Sequence, residues 1–278
     1  MITIEIMGGL GNQLFQIFTL ISYCSIYRKN YQSFIYFENR PSNRILYRPY
    51  YWDNFLKSLK PLLRNTIHNI PILKEPTFNY TKIPIVNNDS FKLYGYFQSY
   101  KYFENEKENI FKMIKLKEQK EDIKIDCDNK VSLHFRMGDY KKLQQYHPIL
   151  SINYYINAID KLIKDTNKND WNIIYFYEKE DEVIVNDRIN ILKDKYKYII
   201  FEPINEKYKD YEQMLIMSKC NHNIIANSSF SWWGAYFNEN KNKNVYYPDV
   251  WFGEKIQKNT KDLFPSEWLK ITNYNNKV

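Results

Sequence analysis

Three short stretches concentrate residues whose types and spacing can do chemistry. The first is Gly8-Gly-Leu-Gly-Asn-Gln13. Glycines at three of four positions, followed by two amides, allow a ligand to approach the backbone closely; the other reading is a plain glycine turn. The spacing is not the G-x-G-x-x-G of nicotinamide-nucleotide sites. The second stretch is His134-Phe-Arg-Met-Gly-Asp-Tyr140. An arginine at a strand end stays charged and grips two phosphate oxygens at once, so Arg136 reads as an anion clamp. A buried structural Arg136–Asp139 ion pair is the alternative. His134 is either a satisfied core histidine or a hydrogen-bonding edge for a base. The third stretch is Ala226-Asn-Ser-Ser-Phe-Ser-Trp-Trp-Gly-Ala235. Hydroxyls and backbone N–H groups at a helix start form a phosphate site. Capping by Ser229 or Ser231, with Trp232 and Trp233 in the core, is the structural reading, and the two are compatible.

The elements that must position these residues follow from periodicity. Ile2, Ile4 and Ile6 alternate with Thr3 and Glu5, a strand pattern; from Leu14 to Tyr27 the apolar residues recur at helical spacing. A strand feeding a helix through a glycine turn opens a Rossmann-like unit. Residues 39–90 are cut by Pro41, Pro49, Pro61, Pro71, Pro76 and Pro84, so loops and short helices are expected there. Residues 93–100 read as a strand end entering a loop, and 101–122 as helical. Short strands are expected at 130–135, 172–177, 198–201 and 223–226. Helices are expected at 154–164, at 207–219 and from near Trp232. All three chemical stretches then sit at carboxyl ends of strands, where open α/β sheets bind ligands. Alternating strands and helices imply α/β architecture with parallel sheets, divided near residues 125–130.

Composition bounds the function. The chain has 278 residues, more than a single domain usually takes, and 44% are hydrophobic, enough for a sizeable core. The 26 Tyr reflect either a coding bias or stacking on sugar faces. A formal net charge of +8 suits an anionic partner such as a nucleotide diphosphate. The lysines are dispersed, including Lys57, Lys107, Lys161 and Lys241, and no nucleic-acid-binding motif accompanies them, so no nucleic-acid partner is expected. Cys24, Cys127 and Cys220 are odd in number, with no C-x-x-C pair; a reducing compartment is expected rather than a disulfide scaffold or zinc site. No secretory signal pattern opens the sequence, and no apolar run approaches a membrane span, so a cytoplasmic location is expected, with peripheral membrane contact left open.

Taken together these motifs resemble the α-1,2-fucosyltransferase family, glycosyltransferase family 11. Its opening signature appears as Gly8-Gly-Leu-Gly-Asn-Gln-Leu-Phe-Gln16, and its G-Y-[FW]-Q-S motif as Gly95-Tyr-Phe-Gln-Ser99. H-x-R-R-G-D-Y appears as His134 to Tyr140, C-x-H-x-I-I-A-N-S-S-F-S-W-W-G-A as Cys220 to Ala235, and a late Pro then Trp-Phe as Pro248 to Phe252. The matches run in order across residues 8–252, and the last long motif is highly specific. The resemblance implies two facing Rossmann-like domains of GT-B type: residues 1–128 on the acceptor side and 129–278 for the donor, the last helix a candidate to pack back on the first domain. It implies inverting transfer of fucose from GDP-fucose to a hydroxyl, O2 of a galactoside, on a glycan acceptor, with no metal or other cofactor. An inactive GDP-sugar-binding homologue, or a transferase using another GDP-sugar, is the alternative.

The resemblance also assigns roles. Arg136 would hold the donor β-phosphate, and Asp139 would act as general base or orient Arg136. His134, Gly138, Glu212, Asn227, Ser228, Ser229 and Phe230 would bind the donor. Gly9, Gly11, Asn12, Gln13 and Gln98 would form substrate-facing loops. Asp126-Cys-Asp128 spells D-x-D but precedes the strand at the domain junction and reads as coincidental. The chain departs from the pattern twice. Met137 replaces the second motif arginine, which implies a phosphate site short of one positive charge. Gln213, beside Glu212, stands where the family tends to place an aspartate suited to guanine N1–H and N2.

Overall fold

The computed structural model of the protein describes residues 1–28, 35–38, 49–65, 69–86, 90–256 and 258–273. The chain divides into two compact units: Met1–Asp122 with Asn259–Pro265, and Ile123–Lys258 with Ser266–Val278.

In the first unit β1 (Ile2–Ile4) leads through the glycine turn into α1 (Leu10–Tyr27). This helix begins at Leu10 rather than Leu14, because extended Gly9 serves as its N-cap. It is buried almost all round, from Leu10 to Cys24. There follow β2 (Phe37–Glu38), β3 (Leu63–Arg64), β4 (Ile72–Lys74), β5 (Phe91–Tyr94), α2 (Lys107–Met113) and α3 (Leu116–Asp122). The helical region expected at 101–122 is broken where Lys115 adopts a left-handed φ of 55°. β1 pairs with β5 and β5 with β4, all parallel. β2 and β3 pair in parallel, and a parallel bridge from Ile35 to Ile2 joins that pair to β1. Where loops and short helices were expected, a 3-10 helix occurs at Lys57–Leu62, together with the unexpected short strands β3 and β4; residues 39–48, with Pro41, lie outside the described residues.

The second unit holds β6 (Lys130–His134), α4 (Ile152–Thr166), β7 (Asn172–Phe176), α5 (Glu182–Lys195), β8 (Ile200–Pro203), α6 (Asp210–Lys219), β9 (His222–Ile224), α7 (Ser229–Tyr236), β10 (Val245–Pro248) and β11 (Leu269–Ile271). Its six-stranded sheet has the order β11-β10-β9-β6-β7-β8, parallel throughout. Counted within this unit, that is the 3-2-1-4-5-6 order of dinucleotide-binding sheets. The order reverses between β6 and β9, which makes their carboxyl ends the switch point. The last described element is the strand β11.

The sheet core takes one face of β6. Val131, Leu133, Phe135 and Met137 all belong to the buried apolar cluster, at the period of 2 that a strand imposes. Opposite them α4 contributes Tyr154, Tyr155, Ala158, Ile159 and Leu162, one stripe of a helix. The alternate residues His134 and Arg136 are left for the other face of the strand and the loop beyond it. Beneath the switch point, buried Asn223 donates to Ser132 Oγ at 2.7 Å and to the Met217 carbonyl at 2.8 Å. It accepts from Asn238 Nδ2 at 2.8 Å. This satisfied network fixes β6, β9 and the end of α6 to one another.

Candidate functional site

The switch point gathers the second and third chemical stretches. β6 delivers His134 and Arg136, and the turn after β9 delivers Asn227 and Ser228 to the start of α7. A hydrogen bond from Tyr140 Oη to the Asn227 carbonyl, 3.1 Å, ties the two loops together. Asn227 Nδ2 in turn donates to the carbonyls of Pro148, at 2.8 Å, and Trp251, at 3.3 Å. The late Trp-Phe pair therefore buttresses the same loop.

Arg136 is mostly buried, its guanidinium ion-paired with Asp139 on one nitrogen and Glu178 on the other. The same group lies over the Tyr140 ring, 4.9 Å from its centroid. Tyr140 stacks on His147 at 4.8 Å, and His147 leans on Phe252 at 5.9 Å. Gly138 has φ +33°, and a Cβ there would collide with the Glu178 carboxylate, so only glycine fits. The backbone N–H of Gly138 donates to Asp181 Oδ2 at 2.7 Å, and Lys141 pairs with Asp181 Oδ1 at 2.5 Å. Asp181 is 1% exposed and anchors the whole 136–141 turn.

Two polar atoms at this site are buried without a partner: His134 Nδ1 and Asn227 Oδ1. The His134 ring lies 5.7 Å from that of Phe230. Burial, and then the Arg136 charge, pushes the His134 imidazole down to about 3, so it is neutral at ordinary pH. His147 is also lowered, chiefly by burial. Ser228 is the N-cap of α7, accepting from the Phe230 N–H at 3.3 Å. The helix thus starts at Ser229, a turn ahead of the expected Trp232, and Ser228 rather than Ser229 or Ser231 caps it. Ser231 Oγ accepts instead from the Ala226 N–H at 3.2 Å. Trp232 and Trp233 are fully buried, as the structural reading held.

Met137 does not stand at the clamp. It is 1% exposed and packs in the apolar core, because it continues the inward alternation of Val131, Leu133 and Phe135. Its side chain thus lies on the core face of the strand, the opposite face from His134 and Arg136. Glu212 lies in the first turn of α6. Its carboxylate accepts from the Lys209 N–H at 2.7 Å, satisfying a backbone donor at the start of α6. Gln213 donates to the Tyr208 carbonyl at 2.9 Å. In the D-x-D stretch, Asp126 Oδ1 accepts from the Asp128 N–H at 2.9 Å.

The first stretch lies in the other unit. Gly8 has φ +78°, and a Cβ on it would meet Asn12 Nδ2 at 2.6 Å. Gln98 Nε2 donates to Asn12 Oδ1 at 2.7 Å, bringing the loop after β5 to the start of α1 beside Gly9 and Gly11. Gln13 is 1% exposed; its amide nitrogen bonds the carbonyls of Gly8, at 3.0 Å, and Pro49, at 2.9 Å. That amide braces the turn from within.

Sequence reading did not single out Glu178, Asp181, or the buried group in which Lys92 meets Glu38 at 2.7 Å and Glu5 at 3.6 Å. For Asp181 a signal exists: a carboxylate between a strand and the first turn of a helix. Glu5 follows β1, Glu38 lies in β2 and Lys92 in β5, and no spacing reveals them. Among the described residues no group of three or more His, Cys, Asp or Glu could hold a metal ion. Among them, too, no helix is long and apolar enough to cross a membrane.

The family model described as Glycosyl transferase family 11 matches residues 1–272. The chain is 32% identical to an alpha-1,2-colitosyltransferase of Escherichia coli, over 66% of this chain and 63% of that protein. It is 30% identical to the O-antigen biosynthesis glycosyltransferase WbnK of Escherichia coli, over 69% of this chain and 64% of that protein. It is 27% identical to a galactoside 2-alpha-L-fucosyltransferase of Caenorhabditis elegans, over 98% of this chain and 79% of that protein. The chain spans just under two thirds of the length of the two bacterial relatives. No solved structure matches it.

Proposed function

The chain belongs to glycosyl transferase family 11, and from that premise we propose that it transfers a 6-deoxyhexose, fucose in the first instance, from a GDP-sugar to O2 of a galactoside, with inversion. One observation carries the reading. At the switch point of a parallel sheet, a strand-end arginine, a Ser-capped helix start and two orphaned buried polar atoms converge. Such a place suits a nucleotide diphosphate. The unit built on residues 123–258 is then the donor half of a GT-B-type enzyme, and the unit built on residues 1–122 the acceptor half.

In this reading the acceptor hydroxyl attacks the anomeric carbon as the bond to GDP breaks, and negative charge grows on the β-phosphate. Arg136 meets that charge together with the N–H groups and dipole at the start of α7. Asp139, already paired with the guanidinium, orients it. Neutral His134 and Asn227 offer their unpartnered atoms to the donor. No divalent ion is needed for this stabilisation.

A second reading has a specific support: the relative at 32% identity is named a colitosyltransferase. The donor is then GDP-activated colitose on the same site. Donor kinetics test both. Arg136→Ala is expected to lower kcat by about 10²–10³, with Arg136→Lys also poor because a point charge lacks the fork. Activity is expected to survive EDTA. Near-normal transfer by Arg136→Ala would overturn the clamp. Loss of activity on chelation, restored by Mg²⁺ or Mn²⁺, would overturn the metal-free mechanism. Preference between the two donors decides between the readings.

A further inference from the structure

The three cysteines are distant in sequence, yet two of them meet. Cys127 lies in the segment entering β6, and Cys220 is the C-cap of α6, immediately before β9. β6 and β9 are neighbouring parallel strands with Val131 opposite His222, so their entrances lie side by side. The Cys127 and Cys220 side chains are close enough to perturb each other's ionisation. Both also approach one acceptor, the Ile216 carbonyl, at 4.0 Å and 3.5 Å respectively. Cys127 retains a small opening to solvent and Cys220 has none.

We propose that Cys127 and Cys220 are an oxidation site, at which a low-molecular-weight disulfide converts the thiol pair into a reversible intrachain bond stapling the entrances of β6 and β9. The Cys127 thiolate attacks one sulfur of the small disulfide, whose S–S bond breaks and releases one small thiol. The Cys220 thiolate then attacks the Cys127 sulfur, releasing the second small thiol. The protein loses two hydrogens and two electrons, and the reagent gains them as two thiols.

The surroundings favour Cys127 as first nucleophile. Its thiol is lowered, first by the neighbouring Cys220 thiol and then by Lys219 and Lys130, against burial and Asp126. Cys220 is raised, by the neighbouring Cys127 thiol and by burial. Cys24 is pushed up to about 12, chiefly by burial, and lies in the other unit; it stands as an internal control. The bond would close a loop of roughly 90 residues, long enough to remove substantial entropy from the unfolded chain.

The test uses the full chain incubated with oxidised glutathione, alkylated, and digested without reduction for mass spectrometry. The expected product is one Cys127–Cys220 cross-linked peptide pair, two hydrogens lighter than the free peptides and absent after dithiothreitol. Cys24 should remain a free thiol. The melting temperature should rise by about 5–10 °C on oxidation, and neither Cys127→Ser nor Cys220→Ser should show that rise. A stable glutathione adduct on Cys127 without a cross-link would overturn the proposal. So would recovery of both thiols free after a time that fully oxidises the denatured chain, or a cross-link that leaves melting unchanged.

Discussion

At the scale of single residues, directly adjacent neighbours have opposite fates. Arg136 and Met137 adjoin in the motif, but strand alternation sends one to the switch point and the other into the core. Met137→Arg is therefore expected to force a cation into an apolar site and to destabilise the fold by about 3 kcal/mol or more. Urea denaturation measures it; a stable variant with a lower donor KM would mean the new side chain reaches the phosphate site instead. Titration makes a second prediction. His134 is held neutral in the fold, at about 3, whereas an unfolded chain takes up that proton near pH 6.5. Its contribution to stability is complete above that pH and is lost at about 1.4 kcal/mol per pH unit as acid is added toward pH 3. His222, lowered to about 4 by burial, acts in the same direction. Denaturation midpoints at pH 7.5 and 5.5 should fall with acid, and a His134→Gln variant should show a smaller fall.

At the scale of elements, the 136–141 turn depends on a helix it does not belong to. Asp181, at the N-terminus of α5, accepts the Gly138 N–H and pairs with Lys141. Asp181→Ala would leave a buried donor and a cation without their acceptor, at a cost of about 1–3 kcal/mol. The variant is expected to fold with a lower melting temperature and a raised donor KM, because the loop bearing Arg136 is no longer held. Unchanged donor kinetics would show that Arg136 is fixed by Asp139 and Glu178 alone. Helix α5 itself has a mixed signal. Its buried Val185, Ile189 and Leu192 follow helical spacing, but Val183, Ile184 and Ile191 are exposed apolar residues that blur the stripe. β10 and β11 are likewise short, and nothing in their few residues announces a strand.

At the scale of the whole chain, the first unit is completed by a late segment. Asp262, from Asn259–Pro265, accepts from the Tyr80 N–H at 3.2 Å and pairs with Lys101 at 2.5 Å. Its carbonyl accepts from Ser99 Oγ at 2.6 Å. Asp262→Ala should therefore raise hydrogen exchange over residues 80–101 while leaving β6, β7 and β9 protected. Equal loss of protection in the two units would mean that they unfold together.

What the sequence by itself determined is the chemistry and its local setting: the strand-end arginine, the glycine turns, the hydroxyls at a helix start and the α/β alternation. These are legible because they depend on periodicity and on residues within a few positions of one another. What only the tertiary structure decided is which groups meet. Parallel pairing of β6 with β9 brings His134 to Phe230 and Tyr140 to Asn227, partners far apart in sequence, the second pair separated by 87 positions. Glu178 and Asp181 reach the arginine loop because β7 lies beside β6. The pairing of β6 with β9 also sets Cys127 and Cys220 beside one carbonyl, that of Ile216. Sheet order is set by the packing of whole crossovers and not by any local run of residues, so the partners it creates across strands leave no trace in spacing.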